Sequence, residues 1–279
     1  MRYDFTKMHG LGNDFIVLDA PSRDGLTLTA AQWRQLSDRR TGIGFDQALV
    51  LEPPRGDDTA AYYRIFNADG SEVEQCGNGV RCLADLLRRR GVSRNGVVRL
   101  GSPAGLIEAQ LGEIGRASVD MGEPAFTPAA VHFDTAGQPG PRYFIELPGG
   151  RVEFAIASMG NPHAVLDVPD VASAPVAGTG AALERHPRFR QRVNVGFRQV
   201  IDRGHIRLRV FERGVGETLA CGTGACAAVA TGILAGLLDA QVEVTLPGGV
   251  LVARWDGPGT HLWLEGPAAV SFIGHFELR

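Results

Sequence analysis

Two cysteines, Cys76 and Cys221, each open the same four-residue turn, Cys76-Gly77-Asn78-Gly79 and Cys221-Gly222-Thr223-Gly224. A helix is predicted directly after each turn. Backbone N–H groups left without partners at a helix start, together with the positive end of the helix dipole, favour an anion there. A thiol with an ordinary pKa of about 8.5 is expected to be lowered at such a place. The glycines permit a tight turn and close approach of a ligand to the backbone. Two such starts can bind one carboxylate with their N–H groups and hold two sulfurs at the same carbon. One thiolate would take a proton from one face and the opposed thiol would return one to the other face. The chemistry expected is inversion at carbon by a matched acid–base pair.

Other uses of cysteine fit less well. Zinc sites favour closely paired Cys-x-x-Cys spacing, and here the pairs are Cys76 with Cys82 and Cys221 with Cys226. No metal is expected. A structural disulfide is disfavoured in a reducing compartment. A cysteine hydrolase would leave the second equivalent cysteine unexplained. Cys82 and Cys226 fall inside the predicted helices and read as small core residues.

The surroundings of the two cysteines repeat. Arg64-Ile65-Phe66 precedes Cys76 by the spacing at which Arg209-Val210-Phe211 precedes Cys221, and Glu72 and Glu217 each lie four residues before their cysteine. Upstream, Gly44-Phe45-Asp46-Gln47 echoes Gly196-Phe197-Arg198-Gln199. Gly12-Asn13 before Val17-Leu18-Asp19 echoes Gly160-Asn161 before Val165-Leu166-Asp167. The order is preserved throughout, which is the signature of a duplicated unit. Two similar halves are expected, meeting near Gly122 to Thr127, where Gly and Pro cluster.

Each half must position its cysteine with strands around one main helix. Val80, Leu83, Ala84 and Leu87 lie at helical spacing, Arg88 to Arg90 suit the helix end, and Gly91 is a stop. The second helix is predicted from Thr223 to Leu238. Ile206, Leu208 and Val210 alternate as a strand, and Val242 to Leu246 leads through Pro247-Gly248-Gly249 into a hairpin. Val97 to Leu100 and the run from Leu106 form the corresponding hairpin. The fold class is α+β: two pseudo-symmetric sheet-and-central-helix domains, 1–122 and 123–266, with the active site expected in the cleft between them.

The chain has 279 residues, is 44% hydrophobic and 21% charged, and carries a net charge of −3. These values suit a soluble globular protein and offer no basic field for nucleic acid or an anionic membrane. Leu219 to Leu238 is uncharged and long enough to span a bilayer, but it is rich in Gly, Ala and Thr and reads as a buried central helix. Met1 to Gly10 has no apolar core and does not read as a signal peptide. The expected location is cytoplasmic. Lys7 is the only lysine. Pyridoxal phosphate, the usual cofactor for chemistry at an amino-acid α-carbon, is held on a lysine, and nothing around Lys7 suggests such a site. No nucleotide-binding glycine motif is present. No cofactor is expected.

These residues resemble the diaminopimelate epimerase family. The stretches that carry the likeness are Met8 to Phe15, Gly42 to Gln47, Phe66 to Glu72 with Gln75 to Gly79, Gly160-Asn161-Pro162-His163, Asn194 to Phe197, and Glu212-Arg213-Gly214 through Cys221 to Cys226. They span nearly the whole chain in family order. The resemblance implies conversion of LL-diaminopimelate to the meso form on the route to lysine and peptidoglycan, without cofactor or metal. It implies that Cys76 and Cys221 are the acid–base pair, assisted by His163 and Glu212. It places Asn13, Gln47, Asn67, Asn161, Asn194, Glu212 and Arg213 around the substrate, with backbone contacts from Gly77, Asn78, Gly222 and Thr223. It implies a homodimer and a last strand, within 267–279, that returns to the first half. Phe272 stands where the family often has Tyr in a dimer contact.

Diaminopimelate carries an amino acid at each end, so its far end calls for a cation and for carbonyl acceptors. Arg213 can take a carboxylate bidentately, and Asn67, Asn161 and Asn194 can accept from an ammonium. A proline or hydroxyproline racemase with two facing cysteines would need no such group. A non-catalytic amino-acid-binding protein on the same scaffold would not need both cysteines.

Overall fold

The computed structural model describes residues 2–20, 26–73, 76–93 and 95–278. Gln75, part of the motif before Cys76, lies outside the described residues. The class is α+β, and the chain forms two compact units, Met1–Asp120 with Glu265–Arg279, and Met121–Leu264.

In the first unit β1 (Arg2–Gly10) and β2 (Asn13–Asp19) form an antiparallel hairpin. Helix α1 (Ala30–Ser37) then leads to β3 (Gln47–Glu52), which pairs parallel with β2. β4 (Ala61–Asn67) runs antiparallel to β3, and the short β5 (Glu72–Val73) folds back on it. Helix α2 (Gly77–Arg89) crosses to β6 (Val97–Ser102), parallel to β4. β7 (Gly105–Leu111) and β8 (Arg116–Asp120) complete a meander. Val80, Cys82, Leu83, Ala84, Leu86 and Leu87 of α2 are buried. A second cluster gathers under α1, where Trp33 stacks on Phe66 with ring centroids 5.1 Å apart.

The second unit repeats the plan. β9 (Arg142–Leu147) and β10 (Gly150–Ser158) pair antiparallel, and β10 forms a hairpin with β11 (Pro162–Asp167). Helix α3 (Val176–Glu184) precedes β12 (Asn194–Asp202), parallel to β11. β13 (His205–Glu212) is antiparallel to β12, and β14 (Gly216–Thr218) folds back on it. Helix α4 (Gly222–Leu234) crosses to β15 (Gln241–Leu246), parallel to β13, and β16 (Gly249–Arg254) closes the hairpin. An aromatic cluster of Phe133, Tyr143, Phe154 and Phe189 fills the core under α3. β17 (Trp263–Pro267) leads to β18 (Ala269–Glu277), which pairs antiparallel with β1.

The duplication is therefore one of hydrogen-bonded topology as well as of sequence. β2 to β6 with α2 correspond strand by strand to β11 to β15 with α4. Both helices are thirteen residues long and both end on a glycine in the left-handed region, Gly91 (φ 72°) and Gly236 (φ 71°). In each, the N–H of the following residue reaches back to the last turn: Val92 to Leu87 O and Leu237 to Gly232 O, both 3.0 Å. This is the hydrogen-bond pattern of a glycine-terminated helix. It also shortens the second helix relative to the run expected to reach Leu238. Nine consecutive residues of α4, Gly224 to Gly232, are buried. No helix among the described residues is long and apolar enough to cross a membrane.

The repeated Arg and Glu likewise acquire a structural meaning. Arg64 grips Glu72 through two 2.7 Å hydrogen bonds, and Arg209 grips Glu217 through bonds of 2.6 and 2.9 Å. Each clamp ties β4 to β5 or β13 to β14 just before the cysteine, fixing where the helix begins.

Candidate active site

Cys76 is the N-cap of α2 and Cys221 the N-cap of α4, both in extended backbone conformation (φ −148° and −121°). The first intrahelical bonds run from Val80 N to Cys76 O and from Ala225 N to Cys221 O, each 3.0 Å. The N–H groups of Gly77 and Asn78, and of Gly222 and Thr223, therefore precede the helical ladder and are placed to receive an anion.

In the first unit Cys76 is half-buried. Its Sγ lies 3.9 Å from Asn13 Oδ1, the carbonyl end of that amide. The same oxygen accepts from Asn78 Nδ2 at 3.1 Å. Asn78 is itself buried and accepts from the fully buried Arg81. Gln47 donates to Asn67 Oδ1 at 3.0 Å, and Asn67 Nδ2 donates to Ser71 Oγ at 3.0 Å. Thus Asn13, Gln47, Asn67, Cys76, Gly77 and Asn78 fall on β2, β3, β4 and the start of α2.

An ionic network holds the Asn13 turn. Arg39 donates two hydrogen bonds to Asp14, at 2.8 and 2.7 Å, and one to Asp46 at 2.7 Å. Lys7 donates to Asp14 at 2.6 Å and to the Gly44 carbonyl. Burial pushes the Asp14 carboxyl up, but the hydrogen bonds from Arg39 and Lys7 prevail and hold it at about 2. The single lysine is thus a buried structural cation.

In the second unit Cys221 is 4% exposed. The thiol is pushed well above its usual value, first by burial and then by the Glu212 carboxylate facing it. The Thr223 hydroxyl, 3.6 Å from Sγ, and the Gly224 N–H pull the other way and are outweighed. The lowering expected from the helix start is therefore reversed at this cysteine, because dehydration of a thiolate costs more than a few partial charges return. Glu212 Oε1 accepts from Thr218 at 2.5 Å, which fixes the carboxylate on β13.

Asn161 Nδ2 donates to Thr223 Oγ1 at 3.2 Å, and its Oδ1 lies 2.9 Å from His163 Nε2. His163 is 1% exposed, and burial, with repulsion from Arg213, drives its pKa down to about 3. With Asn161 assigned in this orientation, the neutral imidazole carries its proton on Nε2. Asn194 is buried, donates to the Pro162 carbonyl at 3.0 Å and accepts from Arg213 N at 2.9 Å. The exposed Arg213 side chain donates to the Gln191 carbonyl at 3.1 Å. The buried Glu184 accepts from Gly214 N at 3.0 Å and pins the same loop. Asn161, His163, Asn194, Glu212, Arg213, Cys221, Gly222 and Thr223 therefore gather at the ends of β11, β12 and β13 and the start of α4.

The two units match in detail. Asn13 meets Asn78 as Asn161 meets Thr223, with the asparagine after the tight turn bonded to the second residue of the central helix in each case. Thr218, Glu184, Asp46 and Arg81 were not identified from sequence. Asp46 belongs to a repeated motif, but only its paired Asp14 and Arg39 reveal what it holds. Among the described residues no three His, Cys, Asp or Glu side chains are grouped to hold a metal ion.

The model of the family described as diaminopimelate epimerase matches residues 5–127 and 154–270. The chain is 51% identical over 278 residues to a diaminopimelate epimerase of Nitrosomonas europaea and 52% identical over 278 residues to one of Chromobacterium violaceum, with the full length of both chains covered in each case. Among solved structures, a hydroxyproline epimerase from Agrobacterium vitis with bound trans-4-OH-L-proline superposes with a TM-score of 0.71 at 17% identity, covering 98% of this chain and 92% of that one. That likeness extends to the fold alone. Matched over most of its length by the family model and over all of it by relatives more than half identical, the chain belongs to the diaminopimelate epimerase family.

Proposed function

We propose that the chain is an isomerase that epimerises LL-2,6-diaminopimelate to the meso form in lysine and peptidoglycan precursor biosynthesis, using Cys76 and Cys221 as its acid–base pair. The observation that carries this is their placement: equivalent N-caps of two matched thirteen-residue helices, in a chain of this family. The substrate α-carboxylate takes the N–H groups of Gly77, Asn78, Gly222 and Thr223, whose partial charges also stabilise the carbanion-like transition state.

Cys221, buried against Glu212, retains its proton and starts as the acid. Cys76 then serves as the base. Its thiolate takes the α-proton from one face and the Cys221 thiol delivers a proton to the other. Cys76 ends as thiol and Cys221 as thiolate, the mirror of the start, so the reverse reaction exchanges the roles. Arg213 receives the distal carboxylate, and the carbonyl oxygens of Asn67 and Asn161 receive the distal ammonium. His163 holds Asn161, Gln47 holds Asn67, and Asn194 acts through the backbone of Arg213.

The same reading carries a homodimer in the cytoplasm and independence from pyridoxal phosphate. Incubation of the purified protein with LL-diaminopimelate in deuterium oxide is expected to give the meso isomer labelled at the inverted α-carbon, with no pyridoxal absorbance. Turnover of L-proline or hydroxyproline in its place would overturn the substrate assignment. Binding of diaminopimelate without exchange would overturn catalysis.

A further inference from the structure

Asn13 and Asn78 form a pair of side-chain amides whose orientation is fixed from both ends by charges that have only one hydrogen-bonding sense. At the buried end Arg81, a donor only, bonds to Asn78 Oδ1, which leaves Asn78 Nδ2 to donate to Asn13 Oδ1 at 3.1 Å. At the other end Asp46, an acceptor only, receives Asn13 Nδ2 at 2.9 Å. Asp46 is itself anchored by Arg39 and by the Asp14 N–H at 3.1 Å. Rotation of the Asn13 amide would set its oxygen against a carboxylate and its NH2 against that of Asn78. Both contacts would become repulsive, and the one with Asp46 is charge-assisted, the stronger kind.

We propose that Asp46 and Arg81 are positioning residues that set the polarity of the Asn13–Asn78 pair, so that Asn13 turns an oxygen, and not an amide donor, toward Cys76 and keeps that sulfur basic. The proposal rests on Cys76 acting as an acid–base group. A thiolate without a hydrogen-bond donor from Asn13 retains more affinity for the substrate proton than one that has such a donor. Among the described residues, Tyr63 on β4 and Cys82 on α2 are titratable neighbours that interact electrostatically with Cys76. Burial raises both, Cys82 to about 12, so both are neutral at neutral pH.

The test is the pH dependence of Cys76 alkylation by iodoacetamide in the full-length protein, read by mass spectrometry. The tryptic peptide Ile65–Arg81 contains Cys76 and no other cysteine. It needs no substrate, so it stands or falls separately from diaminopimelate turnover. In Asp46→Asn the side chain at 46 accepts either orientation of Asn13, and a thiolate can then recruit its NH2. The expected result is a lower titration midpoint and alkylation at neutral pH about fivefold faster, a little under one pKa unit. In the Asn13→Ala background the same Asp46→Asn change is expected to move the rate by less than about twofold. An equal shift in both backgrounds would mean that Asp46 acts by charge alone, and no shift in either would mean that Asn13 is not held; each overturns the proposal. Arg81→Gln, which frees the buried end, is expected to act in the same direction; its tryptic peptide extends to Arg88 and includes Cys82, so the alkylated cysteine is assigned by fragmentation, and the surface variant decides the matter if Arg81→Gln does not fold.

Discussion

Thr218 donates a 2.5 Å hydrogen bond to the carboxylate of Glu212, and that carboxylate faces the thiol of Cys221. A threonine on a three-residue strand thus holds in place the charge that, after burial, helps to keep a cysteine protonated. Thr218→Val is expected to lower kcat about tenfold, the scale of one lost hydrogen bond to a charged group, with a smaller change in KM. Glu212→Gln removes the charge itself. The Cys221 midpoint is then expected to fall, because burial remains but the carboxylate no longer opposes ionisation. Alkylation of Cys221 against pH, alongside steady-state kinetics, checks both. An unchanged Cys221 midpoint in Glu212→Gln would remove Glu212 from this role.

Cys76→Ala and Cys221→Ala are each expected to reduce epimerisation by at least about a thousandfold, since a two-base reaction cannot run with one base. Isomer-resolved chromatography of the product measures this. Full activity in either variant would end the two-cysteine mechanism.

How much of this was legible in sequence depends on the range of the interaction. The duplication, the two helices, the stop at Gly91 and the buried places of Cys82 and Cys226 all follow from spacing and side-chain type, which are local. The direction of the Cys221 shift does not. The local signal, a cysteine before a helix, predicts a lowered thiol pKa, whereas burial by the whole unit and the carboxylate of Glu212 decide the outcome. Asn194 shows the same limit. As a polar residue in a motif it reads as a substrate contact, and only the fold shows that its amide also bonds the Pro162 carbonyl and the Arg213 N–H. Asp46 and Arg81 carry roles that depend on which atom of an asparagine faces them, and no pattern of letters encodes that.

His163 is neutral in the folded chain, with a pKa of about 3 set first by burial and then by Arg213. Between that value and the unfolded value of about 6.5, the unfolded chain binds the extra proton. Stability from this residue is therefore complete above about pH 6.5 and is lost as pH falls toward 3. Lowering pH from 7 to 5 is expected to cost about 2 kcal/mol through His163 alone. Urea denaturation across this range should show a shallower loss in His163→Gln. The catalytic pH profile should have no limb from this imidazole between pH 5 and 8, and NMR of its ring nitrogens should report the neutral form throughout. A His163 midpoint above 6 would contradict the burial argument.

The second glycines of the two Cys-Gly-x-Gly turns are equivalent in sequence but not in consequence. A Cβ on Gly224 would lie 3.0 Å from Val210 Cγ2 and 3.2 Å from Cys221 Sγ. A Cβ on Gly79 would lie 3.0 Å from Leu49 Cδ2 and 3.5 Å from Phe15, with no sulfur among its nearest neighbours. Both positions are helical, so alanine fits the backbone and the cost arises from crowding. Gly224→Ala is expected to displace the Cys221 sulfur and lower kcat by about tenfold or more, because small misplacements of a reacting group are expensive. Gly79→Ala is expected to lower Tm by a few degrees, at about 1–2 kcal/mol of overpacking, with kcat reduced less than about threefold. Thermal denaturation and steady-state kinetics on the pair separate the two effects. Equal losses of kcat would mean that the turn, and not the sulfur, is what the glycine protects.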